Sequence, residues 1–262
     1  MLLPSLEEFN QALEDFRSHY PLKEWTNEFS ESVLNDFSFF SSRLEDPNLQ
    51  YGDTIRFLNN EVVNTFRVDS FHAVSEHKAV LSELMKNLEH FELTEQSIQA
   101  IHRSLMSSPL AWETEFKPDL IGNYRNEPAM GSRQPFFVNK EYVPHYNLEI
   151  VMASWLPRWN NAFDEIDNLS NEKHIISRIA HFHNTFLNEI HPFADGNGRV
   201  CRIIIGAMLM RHNCPPVFPQ ILNDNDQKTY ITTIIECEKA NSDEPLITYL
   251  ANGMSKYMRD RI

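Results

Sequence analysis

The sequence predicts an all-α chain interrupted once, and three observations lead there. Apolar residues recur at three- and four-residue spacing through nearly every segment, the pattern of amphipathic helices. Five of the fourteen prolines, at 109, 118, 128, 135 and 144, crowd into residues 109–146 together with Gly122 and Gly131, so long helix is excluded there. Two of only seven glycines stand in His191-Pro192-Phe193-Ala194-Asp195-Gly196-Asn197-Gly198-Arg199-Val200-Cys201-Arg202, between two apolar-periodic runs. That placement predicts a loop clamped between buried helices.

Taken in order, Ser5 with Glu8 reads as a capping box for a first helix with Leu6, Phe9, Leu13 and Phe16 on its stripe. Phe29, Val33, Phe37 and Phe40 predict a second over about 27–44, stopping ahead of Asp46-Pro47. Ile55, Leu58, Val62 and Phe66 carry helical spacing from Tyr51 to Phe66, and Val80, Leu81, Leu84, Met85 and Leu88 carry it within 75–91. Thr94 caps a helix to about Met106, ended by Ser108-Pro109. Beyond the proline-rich segment, Leu148, Val151, Met152, Trp155 and Trp159 mark a helix bent or ended near Pro157. Residues 172–190 follow with Ile175, Ile179, Phe182, Phe186 and Ile190 as their stripe. A helix from Arg199 to His212 is apolar almost all round, which marks it as central. Helices near 226–239 and 246–258, the latter opened by Pro245, complete the chain.

The glycine loop carries chemistry. Pro192 pushes His191 out of helical φ/ψ, which leaves the imidazole at the loop mouth as a general base. The amides of Gly196, Asn197 and Gly198, followed at once by a helix, form a cradle for a phosphate. Arg199 and Arg202 share one helical face and can fork onto the same polyphosphate. Asp195 is a hard oxygen ligand suited to Mg²⁺, which is held by one or two carboxylates alongside substrate phosphates.

At all eight defined positions the stretch resembles the Fic family motif, H-x-F-x-[D/E]-G-N-G-R-x-x-R. The resemblance implies a helical bundle of the Fic type with a small β-hairpin flap, and transfer of AMP from ATP to a protein hydroxyl. It implies that His191 deprotonates the hydroxyl and that Asp195 holds Mg²⁺ on the α- and β-phosphates. Gly196, Asn197 and Gly198 would line the anion hole, Arg199 would grip the β/γ-phosphates, Arg202 would support them, and Phe193 would anchor the loop. Val200-Cys201 stands where the family often has Thr-Gly, a departure that bears on helix packing. Gly122-x-Tyr124-Arg125 resembles the entry to the flap, which in the family pairs with the target segment and sets its hydroxyl over the histidine. Phe136, Phe137 and Val138 are the candidate edge, and an apolar strand packed on the domain is the other reading of the same residues. Tyr230 is similar to a family tyrosine near the adenine and Asn241 to a nearby base contact, although Tyr230 reads equally as core. His183 reads as a buried hydrogen-bonding residue; His181 lies at an alternate helical position, so the two make no metal site.

Many Fic proteins carry an inhibitory helix, [S/T]-x-x-x-E-[G/N], whose glutamate pairs with the second motif arginine. The match Thr54-Ile55-Arg56-Phe57-Leu58-Asn59-Asn60 keeps the threonine and the asparagine but puts Leu58 in the glutamate's place, so the brake is expected to be missing. Glu61, on the same face about 4.5 Å further along, keeps a brake in play, and a plain core helix is the third reading. Glu76-His77-Lys78-Ala79-Val80 resembles a segment that follows the inhibitory helix.

The 262 residues are expected to form one compact domain: an N-terminal helical extension (1–50), helices with the degenerate inhibitory candidate (51–106) and a catalytic core (107–262). A formal net charge of −14 argues against a nucleic-acid binder. Absence of Gly-x-x-x-x-Gly-Lys-[Ser/Thr] excludes a P-loop ATPase. Cys201, Cys214 and Cys237 lack metal spacing and read as reduced thiols. The first residues lack the basic and apolar regions of a signal peptide, and the apolar stretch Ile203–Met210 falls far short of the ~20 residues that span a bilayer. The expectation is a cytoplasmic adenylyltransferase, in its own or a host cytosol, that uses Mg²⁺ and ATP on a Ser, Thr or Tyr hydroxyl of a target protein and labels itself as well. Its oligomeric state is open. Two rivals are a Fic enzyme that removes AMP or uses another nucleotide donor, and a helical interaction module with a dormant site.

Overall fold

In the computed structural model, which describes residues 2–63, 68–113, 115–133 and 136–262, the apolar periodicity resolves among the described residues into ten α-helices and one two-stranded hairpin. In chain order these are α1 (Pro4–His19), α2 (Asn27–Arg43), α3 (Tyr51–Leu58), α4 (Val68–Met85) and α5 (Glu95–Met106). The strands β1 (Met130–Arg133) and β2 (Phe136–Glu141) follow, then α6 (Leu148–Asp164), α7 (Ile175–Asn184), α8 (Asn197–Arg211), α9 (Asp224–Ala240) and α10 (Glu244–Arg259). Met130 lies opposite Glu141, Gly131 opposite Lys140 and Arg133 opposite Phe136, antiparallel.

Helix α8 is central because it has no polar face: Val200 through Met210 are buried without a break. It is surrounded by α4, α5 and α7. Helix α1 lays Leu6, Phe9, Leu13 and Phe16 against α10 and joins the core that contains α8. Each such aromatic or leucine removed from water stabilises by about 1.5–3 kcal/mol, so the first helix is held by its stripe. Helix α2 packs on α4, and under their corner with α3 lies a second apolar cluster of Val33, Phe39, Phe40, Leu49, Phe71 and Val74.

Several boundaries differ from the sequence expectation. Ser5 and Glu8 do not cap α1; Leu3 is the N-cap and Pro4, which lacks an N–H and is preset for helix, opens it. Helix α3 stops at Leu58, where Asn60 turns to φ 60°, a conformation asparagine tolerates. Val62 is therefore 87% exposed instead of continuing the stripe, and Phe66 lies outside the described residues. Helix α6 continues through Pro157, because Leu156 before it and Trp159 and Phe163 beyond it are buried and outweigh the lost backbone bond. The helix entering the loop changes from α at Asn184 to a π turn over Thr185–Ile190, for which the sequence carries no periodic signal.

Among the described residues no helix is long and apolar enough to cross a membrane. The three cysteines are buried and unbridged, and burial pushes their thiols up, Cys214 to about 12.

Candidate active site

His191 ends the π turn with φ 50° and ψ 64°, a left-handed conformation that costs a non-glycine residue about 1–2 kcal/mol. Three contacts of its own hold it there. Its amide donates to Phe186 O at 2.9 Å, its carbonyl accepts from Arg125 Nε at 2.8 Å, and its Nδ1 lies 2.9 Å from Leu187 O. Facing a carbonyl, Nδ1 must carry the proton, which leaves Nε2 as the basic nitrogen. Tyr142, just past β2, stacks on the imidazole with ring centroids 4.3 Å apart.

The loop closes on itself. Asn197 accepts from Phe193 N at 2.9 Å and donates to Phe193 O at 2.8 Å, while Phe193 is fully buried and stacks on His102 at 4.0 Å. His102 accepts from Gly122 N at 2.8 Å through Nδ1, so its Nε2–H faces Asp195 O at 3.2 Å. Burial pushes this imidazole down to about 4, so it works as a neutral strut between α5, the entry to the hairpin and the loop. Gly196 has φ 74° and approaches Met106 so closely that a Cβ would stand 2.6 Å from Sδ. From here α8 begins, and its first residues, Asn197, Gly198 and Arg199, line the cavity, where a helix N-terminus and its dipole favour an anion.

His191, Asp195, Gly196, Asn197, Gly198, Arg199, Arg202 and Tyr230 all line one cavity of about 560 Å³. Asp195 Oδ2 accepts from Glu113 N at 2.7 Å, and its Oδ1 accepts from Gly196 N at 2.6 Å and lies 3.3 Å from Arg199. A carboxylate anchored by N–H groups beside a phosphate cradle fits a Mg²⁺ that takes one protein oxygen and the rest from phosphates and water. Among the described residues no cluster of three His, Cys, Asp or Glu forms a cage independent of such phosphates. Arg199 is held by Ala111 O and lies 3.6 Å from Glu113. Tyr230 donates its hydroxyl to His183, and with Leu187, Asn188, Ile231 and Ile234 it walls the far end of the cavity.

Arg202 overturns one expectation. Its Nη2 pairs with Glu45 Oε1, and its Nε donates to Ser41 Oγ at 2.8 Å. Glu45 follows α2 and lines the cavity, so the carboxylate on the second motif arginine comes from Ser41-Ser42-Arg43-Leu44-Glu45-Asp46. That run keeps the serine and glutamate of [S/T]-x-x-x-E and departs only at Asp46, a signal the sequence carried and the better-ended Thr54 match obscured. The site at Thr54 is elsewhere. Thr54 donates to Gln50 O, Leu58 lines a separate surface pocket with Phe57 and Asn60, Asn59 caps α3, and Glu61 pairs with Arg56 at 3.3 Å. The carboxylate expected to be missing beside the second motif arginine is therefore present, supplied by Glu45 just after α2 and not by α3.

Burial works against ionising Glu45, but Arg202 and then Arg199 outweigh it and draw the carboxyl down. Glu113, which lines the same cavity as Glu45, is pushed up by that neighbouring charge and by burial, so of the two it is the one that holds a proton. His77, within the segment Glu76–Val80, contacts Ser42 at 3.0 Å and steadies the end of α2. Asn241 does not reach the cavity: it is exposed at the left-handed C-cap of α9. The strand of Phe136, Phe137 and Val138 is formed, but their side chains lie outside the described residues. Sequence reasoning missed Glu45, Glu113, Tyr142 and His102, which are remote from the motif in sequence.

A profile of the Fic/DOC family matches residues 92–209. "Protein adenylyltransferase Fic" of Drosophila persimilis is 30% identical over 168 residues, 60% of this chain and 29% of that protein. The protein of the same name in Drosophila erecta is 25% identical over 168 residues, 60% of this chain and 30% of that protein. The chain thus spans about 30% of the length of these curated relatives. A Fic domain containing signaling protein from Bacteroides thetaiotaomicron superposes with a TM-score of 0.76 at 18% identity, over 96% of this chain and 94% of that one. Fic-1 from C. elegans gives 0.69 at 19% identity, over 97% and 71%. These two likenesses show the fold.

Proposed function

We propose that this chain, which belongs to the Fic/DOC family, is a protein adenylyltransferase that moves AMP from ATP to a Ser, Thr or Tyr hydroxyl and is held in check by Glu45. The observation that carries the proposal is the single cavity shared by His191, Asp195, the start of α8 and both motif arginines. In this reading His191 Nε2 takes the hydroxyl proton as the oxygen attacks the α-phosphorus. The new P–O bond forms opposite the bond to the α–β bridging oxygen, which breaks and leaves with pyrophosphate. The amides of Asn197 and Gly198 would face the phosphates while the Gly196 amide holds Asp195, and Arg199 and Arg202 take the charge that grows on the leaving group. Asp195 would hold Mg²⁺, which supplies further charge neutralisation on the phosphates when bound. Tyr230, Leu187, Ile231 and Ile234 offer an apolar slot for the base. The hairpin serves as the flap, its edge at Phe136, Phe137 and Val138 pairing with an extended target segment beside Tyr142 and His191.

Glu45 occupies the Arg202 guanidinium that the phosphates need. With ATP labelled at the α-phosphate, Glu45→Gly is expected to raise labelling of the chain itself or of a lysate roughly 10- to 100-fold, the equivalent of a charged hydrogen bond of about 1.5–3 kcal/mol. His191→Ala in the same background should remove it by roughly 10²–10⁴-fold. Label that survives His191→Ala overturns the assignment of the base. Labelling by another nucleotide but not ATP overturns the donor. A second reading is favoured by the carboxylate at the cavity wall: Glu45 activates water and the enzyme removes AMP. On a modified target the unaltered chain would then release AMP and Glu45→Gly would not.

A further inference from the structure

Arg125 is 4% exposed, and among the described residues its guanidinium meets backbone carbonyls instead of a carboxylate. The carbonyls come from two places. Nε donates to His191 O at 2.8 Å and Nη2 to Ile190 O at 3.3 Å, while the Arg125 amide donates to Pro192 O at 2.9 Å. On the other side Nη1 donates to Glu127 O at 3.0 Å and Nη2 to Val143 O. Glu127 precedes β1 and Val143 follows β2, so the same side chain holds both feet of the hairpin and the backbone of the candidate base.

The chemistry suits arginine and no other residue. Five N–H donors in a rigid fork can serve acceptors on opposite sides, which a lysine ammonium cannot do. The cation is not stranded, because Ile190 and His191 sit at the C-terminal end of the helix that leads into the loop, where exposed carbonyls carry the negative end of the dipole. Among the described residues the hydrogen bonds of Arg125 reach none of the groups in the phosphate cradle.

We infer that Arg125 is a positioning residue for the transfer: by holding the His191 carbonyl and both feet of the hairpin, it fixes the imidazole and the target segment in one frame. The inference rests on the transferase reading above. His191 is pinned at its amide, its Nδ1 and its carbonyl, and Arg125 supplies the last of these pins. Without it the peptide between His191 and Pro192 is free to leave the left-handed turn and take the imidazole with it, while the phosphate cradle stays intact.

The test uses the full chain with Glu45→Gly as parent, and compares Arg125→Lys and Arg125→Gln. The expected result is a fall in kcat of roughly 10²-fold, the cost of misplacing a reacting group by about 1 Å, with KM for ATP changed less than about three-fold. The imidazole ¹⁵N signals of His191, identified by their loss in His191→Ala, should move, because the Nδ1 hydrogen bond is disturbed. A kcat within about three-fold of the parent together with unmoved His191 signals overturns the inference. So does an equal loss of ATP affinity and melting temperature in both variants, which is general damage. If Arg125→Gln does not fold, Arg125→Lys decides. If the parent transfers nothing, the transferase reading fails, whereas the His191 signals need no activity and still decide for or against Arg125.

Discussion

Two left-handed residues, His191 at φ 50° and Gly196 at φ 74°, bracket the loop, and they reach that conformation by different means. His191 is held by three hydrogen bonds; Gly196 has no Cβ to obstruct it. Gly196→Ala therefore has no compensation: the left-handed backbone costs about 1–2 kcal/mol, and Met106 must also move from a contact of 2.6 Å. A loss of at least ~1 kcal/mol in urea unfolding is expected, and an unchanged midpoint would show that the turn relaxes freely. The motif residues were legible in the sequence because their chemistry is local, with eight identities inside twelve positions. Glu45 was legible only as a short Ser-x-x-x-Glu match that the Thr54 match outranked, and only the fold shows that it meets Arg202, 157 residues away. Asn241 erred the other way: the residue type suited a base contact, but its place at a helix C-cap turns it to solvent.

At the scale of elements, periodicity gave the helices because each buries one stripe, and it failed at their ends, where single residues decide. Asn60 ended α3 early, Pro157 failed to end α6, and the π turn before His191 left no trace in spacing. Helix α2 was foreseen as an apolar stripe, yet it also buries Asn35, Asp36, Ser38, Ser41, Ser42 and Arg43. Those polar groups give it a fixed seat. Asp36, 3% exposed, accepts from Tyr51 Oη at 2.6 Å and Tyr257 Oη at 2.7 Å and pairs with Arg261. One carboxylate thus joins α2 to α3 and to the end of the chain, and it fixes the helix that delivers Glu45. Asp36→Ala leaves the buried Tyr257 hydroxyl without its acceptor and Arg261 with Ser32 Oγ, which is expected to cost about 1–3 kcal/mol in chemical denaturation. A loss below ~1 kcal/mol would mean that the three donors find water at no cost.

Across the whole molecule, two effects of acid oppose one another. The chain carries a formal net charge of −14 at pH 7, so mild acidification reduces self-repulsion and on that account stabilises the fold. Against this stand fully buried histidines held neutral at junctions between elements: His174, between α1 and α7, and His102, between α5 and the loop, are each pushed down to about 4 by burial, and His77 is lowered as well. His174 faces Asn10 Oδ1 at 3.1 Å through Nε2 and accepts from Ile176 N at 3.2 Å through Nδ1, so both nitrogens serve only in the neutral form. A histidine whose folded pKa lies below its unfolded value contributes stability that is fully present above pH 6.5 and is lost as pH falls from there towards 4. Between pH 7 and pH 5 that amounts to about 2 kcal/mol for His174 and for His102. His181, raised by its bond to Asp243, and Glu113, raised by the Glu45 charge, run the other way and gain stability on acidification, but both are more than half exposed and solvent screens their contributions. The buried histidines therefore win, and the melting temperature should fall steadily from pH 7 to pH 5. His174→Asn, which removes one titration at a junction, should start less stable at pH 7 and decline with a shallower slope. A melting temperature that holds or rises on acidification would put charge relief ahead of burial.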